Sequence, residues 1–222
     1  MTQVLMPRVR QFAKVKGVEN MKRKRKGAMR RLLQAQNRIV IRCPWFKGVA
    51  ASTRWIEWPL GAPMGADGGD VYYDPVLVQT FDDHIEGFVL HEYLHNLCDH
   101  IARRGNRETG LWNVACDYAI NPFVTKLFDL PPRLCLLDAK YAGMSPEAIY
   151  DALGGSRGEN VIATHWPQTL GASLTEALAE MPPDLSGEPL ERARQKWRDV
   201  IAAAGEPPVF LKAAIEETIA GR

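Results

Sequence analysis

The segment His91-Glu92-Tyr93-Leu94-His95 contains two histidines four residues apart, with an acidic residue directly after the first. On a helix, residues four apart project from one face about one turn apart, so both imidazoles can reach a single ion. Glu92 would then stand beside that ion, where its carboxylate could accept a proton from a metal-bound water. The spacing therefore indicates a zinc site that carries its own general base.

The residues around this segment predict one continuous helix from about residue 82 to residue 104. The apolar positions with helical spacing are Ile85, Val89, Leu94, Leu97 and Ile101. Asp82 or Asp83 is expected to cap the start of the helix, and Gly105 is expected to end it. Ahead of the helix, Val71-Tyr72-Tyr73 predicts a short strand, whose exposed edge could pair with an extended peptide.

A second predicted helix, from about residue 110 to residue 128, offers a third ligand; its Pro122 predicts a kink or a break near Asn121. Asn113, Asp117 and Asn121 form one polar stripe at a spacing of four, and Asp117 is its only acid. A buried carboxylate is unfavourable unless it is paired, and a metal would satisfy it. Asp117 is thus the expected third ligand of one Zn²⁺ ion; the alternatives are a buried ion pair or a hydrogen bond to a ligand histidine.

Two other side chains compete with Asp117 for the third position. In a continuous helix His100 is rotated by about 140° from the face of His91 and His95, so it could coordinate only if the helix ended early. Cys98 shares that face, but a cysteine on an apolar helix is more typical of core packing. Neither displaces Asp117.

The composition is that of a globular protein: 46% of the 222 residues are hydrophobic and 24% are charged. The fold class expected from the pattern is mainly α, or α+β with a small sheet. Further helices are expected after Ser145, near residues 172–180, over 189–204 and after Pro208. The four cysteines form no CxxC pair, which favours reduced and mostly buried thiols. The sequence shows neither a membrane span nor a secretory signal, so we expect a cytoplasmic location.

Charge is distributed unevenly along the chain. Residues 1–42 hold 13 of the 28 Lys and Arg residues and one acid, Glu19, whereas the remainder has 15 basic and 25 acidic residues. The basic stretch over residues 8–31 could bind nucleic acid or another polyanion weakly. A solvated helix face, or an arm that docks on the acidic body, is the more common role of such a run.

Longer stretches of the sequence resemble a known family. They are HEYLHNLCDH at 91–100, LWNVACDYAINP at 111–122, PWF at 44–46, ADGGDVYYDPVLV at 66–78, LPPRLCLLDAKYAGMSPEAIYDAL at 130–153 and ARQKWRDVIAAA at 193–204. Over roughly residues 28–153 the chain resembles the metallopeptidase domain found in bacteria and phages, often ahead of a von Willebrand A-like domain. The resemblance implies a zincin-like domain over residues 28–222, with a core at 28–153, a helical extension at 154–222 and a basic segment at 1–27 before it.

The resemblance also implies roles for single residues. It makes His91 and His95 zinc ligands, Glu92 the catalytic acid and base, and Asp117 the third ligand, and it keeps His100 as an alternative ligand or as a residue that orients one. The expected activity is that of a zinc metalloendopeptidase acting on a polypeptide. A tyrosine, Tyr72, Tyr73, Tyr93 or Tyr118, could stabilise the oxyanion. The alternative is a zinc-stabilised, catalytically silent interaction module anchored by the basic N-terminus.

Overall fold

The computed structural model describes residues 27–58, 63–132, 135–154 and 183–219. The predicted helix near 172–180 and most of the basic stretch lie outside these residues. Nine helices occur in the described part: α1 (27–42), α2 (Lys47–Ser52), α3 (Leu77–Thr80), α4 (Ile85–Leu97), α5 (His100–Arg104), α6 (Thr109–Val124), α7 (Pro146–Ala152), α8 (Gly187–Ala204) and α9 (Val209–Ile219). Short 3-10 turns lie at Pro44–Phe46, Asp82–His84 and Ala139–Tyr141. The molecule is mainly helical, as predicted.

One small sheet precedes the histidine-bearing helix α4. Its strands are β1 (Trp55–Glu57), β2 (Met64–Ala66) and β3 (Val71–Tyr73), in the order β1-β3-β2. β3 pairs in parallel with β1 and antiparallel with β2. The predicted strand at Val71 is therefore confirmed, but it is the central strand. The expectation that its edge could take up a peptide was wrong, because both of its edges are already paired.

The predicted long helix is broken into α4 and α5. α4 ends at Leu97, and Asp99 takes a left-handed backbone conformation with φ of 58° before α5 begins at His100. A non-glycine residue in this region is unfavourable and ends a right-handed helix. The N-cap prediction was also wrong, because Asp82–His84 forms a 3-10 turn and His84 is the N-cap, with no side-chain hydrogen bond.

Helix α6 begins at Thr109 and ends at Val124, earlier than the predicted residue 128. The carboxylate of Glu108 caps its start by accepting hydrogen bonds from the amides of Gly110 and Leu111. Pro122 lies within the last turn and does not interrupt the helix. Ser145 caps α7 through the amide of Ala148, with Pro146 at the first helical position, as the sequence predicted.

The hydrophobic core has two parts. The larger joins α1, α4, α8 and α9, and the smaller lies between α6 and α7. α8 also covers the loop between β2 and β3: Trp197 Nε1 donates to the carbonyl of Gly68 at 3.0 Å, and Lys196 Nζ to that of Gly69 at 2.7 Å. Helix α8 thus binds the segment that precedes the histidines through these two hydrogen bonds.

The cysteines carry no disulfide. All four are free, and Cys43, Cys98 and Cys116 are buried while Cys135 is partly buried. This confirms the prediction of reduced, mostly buried thiols. Within the described ranges, no helix is long and apolar enough to cross a membrane.

Candidate metal centre

Helices α4 and α6 bring three side chains to one point. His91 and His95 lie on α4, and their Nε2 atoms are 2.9 Å apart. Asp117 lies on α6, and its Oδ1 is 3.2 Å from Nε2 of His95 and 3.4 Å from Nε2 of His91. These are the three residues that the sequence nominated as ligands, and the fold places their donor atoms together.

The distances among these atoms fit a small metal ion. Zinc binds imidazole nitrogen at about 2.0–2.1 Å and carboxylate oxygen at about 2.0–2.2 Å, so two ligand atoms of a tetrahedral site lie about 3.3–3.5 Å apart. The observed separations are 2.9, 3.2 and 3.4 Å. Two imidazoles and one carboxylate are also a donor set that zinc accepts, with one coordination position left open. The residues present therefore fit the group that the sequence predicted.

The electrostatics of the three side chains favour positive charge. Burial alone would lower the pKa of His91, but the charge and hydrogen bond of Asp117, with Glu92 and Asn121, raise it to about 9. Burial raises the pKa of Asp117, but His91 and His95 outweigh this and lower it to about 2. An ionised carboxylate against two ring nitrogens is a place where a cation is stabilised.

Glu92 is buried next to the three residues but is not one of the convergent donors. Only 7% of it is exposed. Burial raises its pKa, and the nearby His91 and His95 lower it in part. A buried carboxyl with a raised pKa is suited to taking and returning a proton.

Asn121 contacts His91 through Nδ1, the ring nitrogen that is not part of the cluster. Its Oδ1 lies 2.8 Å from Nδ1 of His91, and its Nδ2 donates to the carbonyl of Leu136 at 3.1 Å. The sequence placed Asn121 on the polar stripe with Asp117 but gave it no role. Its spacing of one helical turn from Asp117 was the available signal.

His100 is close to the cluster but not part of it. The break at Asp99 turns its ring toward His95, with ring centroids 4.8 Å apart and the two Nδ1 atoms at 3.1 Å. The expectation that His100 points away from the ligand face was wrong, because it assumed a continuous helix. His100 nevertheless contacts the nitrogen of His95 that faces away from Asp117, so it does not join the convergent donors.

The remaining candidates are largely engaged elsewhere. Cys98 is buried in the larger core, as expected. The hydroxyl of Tyr72 donates to Asp67 at 2.8 Å, and the hydroxyl of Tyr93 accepts a hydrogen bond from Gln36 at 2.6 Å. Tyr118 follows Asp117 directly and packs against the ring of Tyr141. Of the tyrosines that the sequence nominated, Tyr118 is the one beside Asp117 in the chain.

The domain is mainly helical with a small sheet, and its helix α4 presents an HExxH segment to a carboxylate of α6. This is the arrangement expected of a metallopeptidase-type centre. The chain belongs to the family described as "Putative metallopeptidase domain", whose model matches residues 28–207. This confirms the resemblance and extends it through α8. Neither the curated proteins nor the solved structures contain a match to the chain.

Proposed function

We propose that the protein is a zinc-dependent metalloendopeptidase in which His91, His95 and Asp117 hold one zinc ion. The observation that carries the proposal is the convergence of two Nε2 atoms and one carboxylate oxygen within 3.4 Å of one another. Membership of the metallopeptidase family supports a peptide substrate and a metal. The ligands, the choice of zinc and the endopeptidase activity are our inference from the donor set.

Glu92 is the proposed general base and acid. A bound zinc ion supplies a Lewis acid that polarises the scissile carbonyl and makes water more acidic. Glu92 takes one proton from the attacking water as the new carbon–oxygen bond forms. It then gives that proton to the amine as the carbon–nitrogen bond breaks. Its burial beside His91 and His95, and the raised pKa that burial causes, suit its carboxyl group to both transfers.

The geometry supports a catalytic centre over a structural one. Structural zinc sites usually have four protein ligands, whereas catalytic sites have three and an open position. The convergent set in the described chain has three members, and His100 contacts the far side of His95 and does not supply a fourth. Two imidazoles and one carboxylate also leave a net charge of about +1 on the zinc centre, so the centre can still polarise a carbonyl oxygen. These points weigh against the silent interaction module.

The architecture supports a zincin-like assignment and the proposed division of the chain. A small mixed sheet packs beside the active helix, and its edge strands β1 and β2 are candidates to align an extended substrate. The family match begins at residue 28, where the basic segment 1–27 gives way to the proposed domain 28–222. Weak polyanion binding through residues 8–31 remains a prediction from charge alone.

The variant Glu92→Gln tests the proposed mechanism. It should keep zinc and fold normally but lose hydrolysis of an unstructured protein substrate such as casein by several orders of magnitude, because proton transfer is lost while coordination is retained. Glu86→Gln is the matched control, since Glu86 lies on the same helix and pairs with Arg38 outside the cluster. Loss of zinc in Glu92→Gln, or unchanged hydrolysis, would contradict the mechanism.

A further inference from the structure

We propose that Asn121 and His100 are positioning residues that fix the tautomers of the two histidines, so that each presents a bare Nε2 to the metal. The inference rests on the proposed function, in which His91 and His95 bind zinc through Nε2. A neutral imidazole has one protonated and one bare nitrogen, and only the bare one can coordinate. The hydrogen-bond partner of Nδ1 in each ring therefore decides whether Nε2 of that ring can bind the metal.

Asn121 sets the tautomer of His91 because its amide can point only one way. The carbonyl oxygen of Leu136 is an acceptor, so the atom of Asn121 that faces it must be the donor Nδ2. This turns Oδ1 toward His91, 2.8 Å from its Nδ1. Oδ1 is only an acceptor, so the proton of His91 is on Nδ1 and Nε2 is bare. Asn121 is 1% exposed, so its amide is shielded from bulk solvent.

His100 fixes the tautomer of His95 because one proton is shared between their Nδ1 atoms. The two Nδ1 atoms are 3.1 Å apart, and a single proton lies between them. If it belonged to His100, neutral His95 would carry its own proton on Nε2, where the metal binds. The metal-binding tautomer therefore has the proton on Nδ1 of His95, which donates a hydrogen bond to Nδ1 of His100. His100 is then protonated on Nε2, which is buried and has no hydrogen-bond partner in the described part of the chain.

The fold holds His100 in this position with several contacts. The left-handed residue Asp99 starts the new helix one residue before it. Trp112 Nε1 donates to the backbone carbonyl of His100 at 2.8 Å, which ties α5 to α6. Arg103 donates to the carbonyl of Cys98 at 3.1 Å across the break. The fold thus holds His100 in place although its Nε2 has no hydrogen-bond partner among the described residues. Its contact with His95 explains this placement better than a contribution of His100 to the stability of the fold.

Zinc affinity of matched variants tests the proposal. His100→Phe and Asn121→Leu keep most of the side-chain volume but remove the acceptor, and each should weaken zinc binding by about 10- to 100-fold. His100→Gln retains an acceptor oxygen and should restore binding to within a few-fold of the wild type. His84→Phe makes the same histidine-to-phenylalanine change at the start of α4, outside the cluster, and should leave the affinity unchanged. The measurement is competition with a chromogenic chelator.

Long-range nitrogen–proton NMR on the zinc-loaded wild type provides a readout that does not depend on any variant folding. We expect protonated Nδ1 on His91 and His95, and protonated Nε2 on His100. Protonated Nδ1 on His100, or zinc affinity of His100→Phe equal to that of His84→Phe, would overturn the inference while leaving the proposed function standing. A wild type that binds no zinc would overturn both.

Discussion

Arg194 of α8 donates through Nε to Oδ2 of Asp99 at 2.7 Å, and Asp99 is the left-handed residue at which α4 ends. The side chain of Asp99 is nearly buried, and burial raises its pKa although Arg194 lowers it in part. Helix α8 therefore stabilises the break that turns His100 toward the histidine cluster. α8 thus holds the end of α4, the helix that carries His91 and His95.

Removing Arg194 should destabilise the fold. In Arg194→Met the carboxylate of Asp99 loses its main partner while remaining buried, and we expect a loss of about 2 kcal/mol in the free energy of unfolding. Arg192→Met is the matched control, because Arg192 pairs with Glu188 on the exposed face of the same helix. It should change the free energy of unfolding by less than about 0.5 kcal/mol. Urea denaturation measures both, and equal effects would contradict the role of Arg194.

Gly87 should not tolerate a methyl group. It lies inside α4, and a Cβ atom there would be 2.2 Å from the backbone carbonyl oxygen of Asp129. Backbone cannot move aside as easily as a side chain, so Gly87→Ala should reduce the free energy of unfolding by about 2 kcal/mol or more. The chain that follows α6 would be pushed away from α4.

A second glycine provides the control for this prediction. A Cβ atom at Gly48 in α2 would meet Val200 Cγ1 at 3.5 Å, an ordinary contact distance. Gly48→Ala should be neutral or stabilising by up to about 1 kcal/mol, because alanine has the higher helix propensity. Thermal unfolding followed by circular dichroism separates the two variants. A Gly87→Ala protein as stable as Gly48→Ala would contradict the close packing of α4.

The ion pair between Arg103 and Glu147 should contribute a pH-dependent part of the stability. It joins α5 to α7 through two hydrogen bonds of 3.0 and 2.8 Å. Burial raises the pKa of Glu147, but Arg103 outweighs it, so the folded pKa is below the usual 4.5. A depressed carboxyl pKa gives stability that is complete above about pH 4.5 and is lost as pH falls through the folded value.

The variant Glu147→Gln isolates this contribution. At neutral pH it should be less stable than the wild type by about 1 kcal/mol, since the pair is partly exposed. The difference should shrink as pH falls below 4.5. Urea denaturation at pH 7 and at several acidic values measures it. A difference that stays constant across this range would show that Glu147 acts through packing and not through its charge.

Zinc should stabilise the protein only when Asp117 is present. A ligand that binds the folded state raises its stability by an amount that grows with ligand concentration over Kd, about 2.7 kcal/mol at one hundred times Kd. Added zinc should therefore raise the melting temperature of the wild type but not that of Asp117→Ala. His100→Ala should show a reduced rise. A full rise in Asp117→Ala with none in His100→Ala would exchange the roles of these residues.

Local spacing explains why the sequence could predict which side chains meet at the candidate site. His91, Glu92 and His95 fall within five residues of one helix, and Asp117 lies one turn from Asn121 on the next. Two helices that each carry a polar stripe inside an apolar core tend to bring those stripes together. The class of fold, the strand at Val71 and the capped helix after Ser145 follow from equally local signals.

The features that the sequence did not reveal depend on distant partners. The helix break is stabilised by an arginine 95 residues further along the chain, and no glycine or proline marks it. The contact made by Asn121 is with an atom of His91, 30 residues earlier. The sheet places β3 between β1 and β2, both of which precede it in the chain, and strands of three residues do not specify such an order. Each of these is a tertiary relationship without a local pattern.

X-ray diffraction at wavelengths on both sides of the zinc absorption edge, from crystals of the wild-type protein grown with zinc, tests the metal centre most directly. We expect one anomalous peak per chain, about 2.0–2.2 Å from Nε2 of His91, Nε2 of His95 and a carboxylate oxygen of Asp117. His100 should lie behind His95, outside the coordination shell. A peak elsewhere, or one bound by His100 in place of Asp117, would contradict the proposed centre.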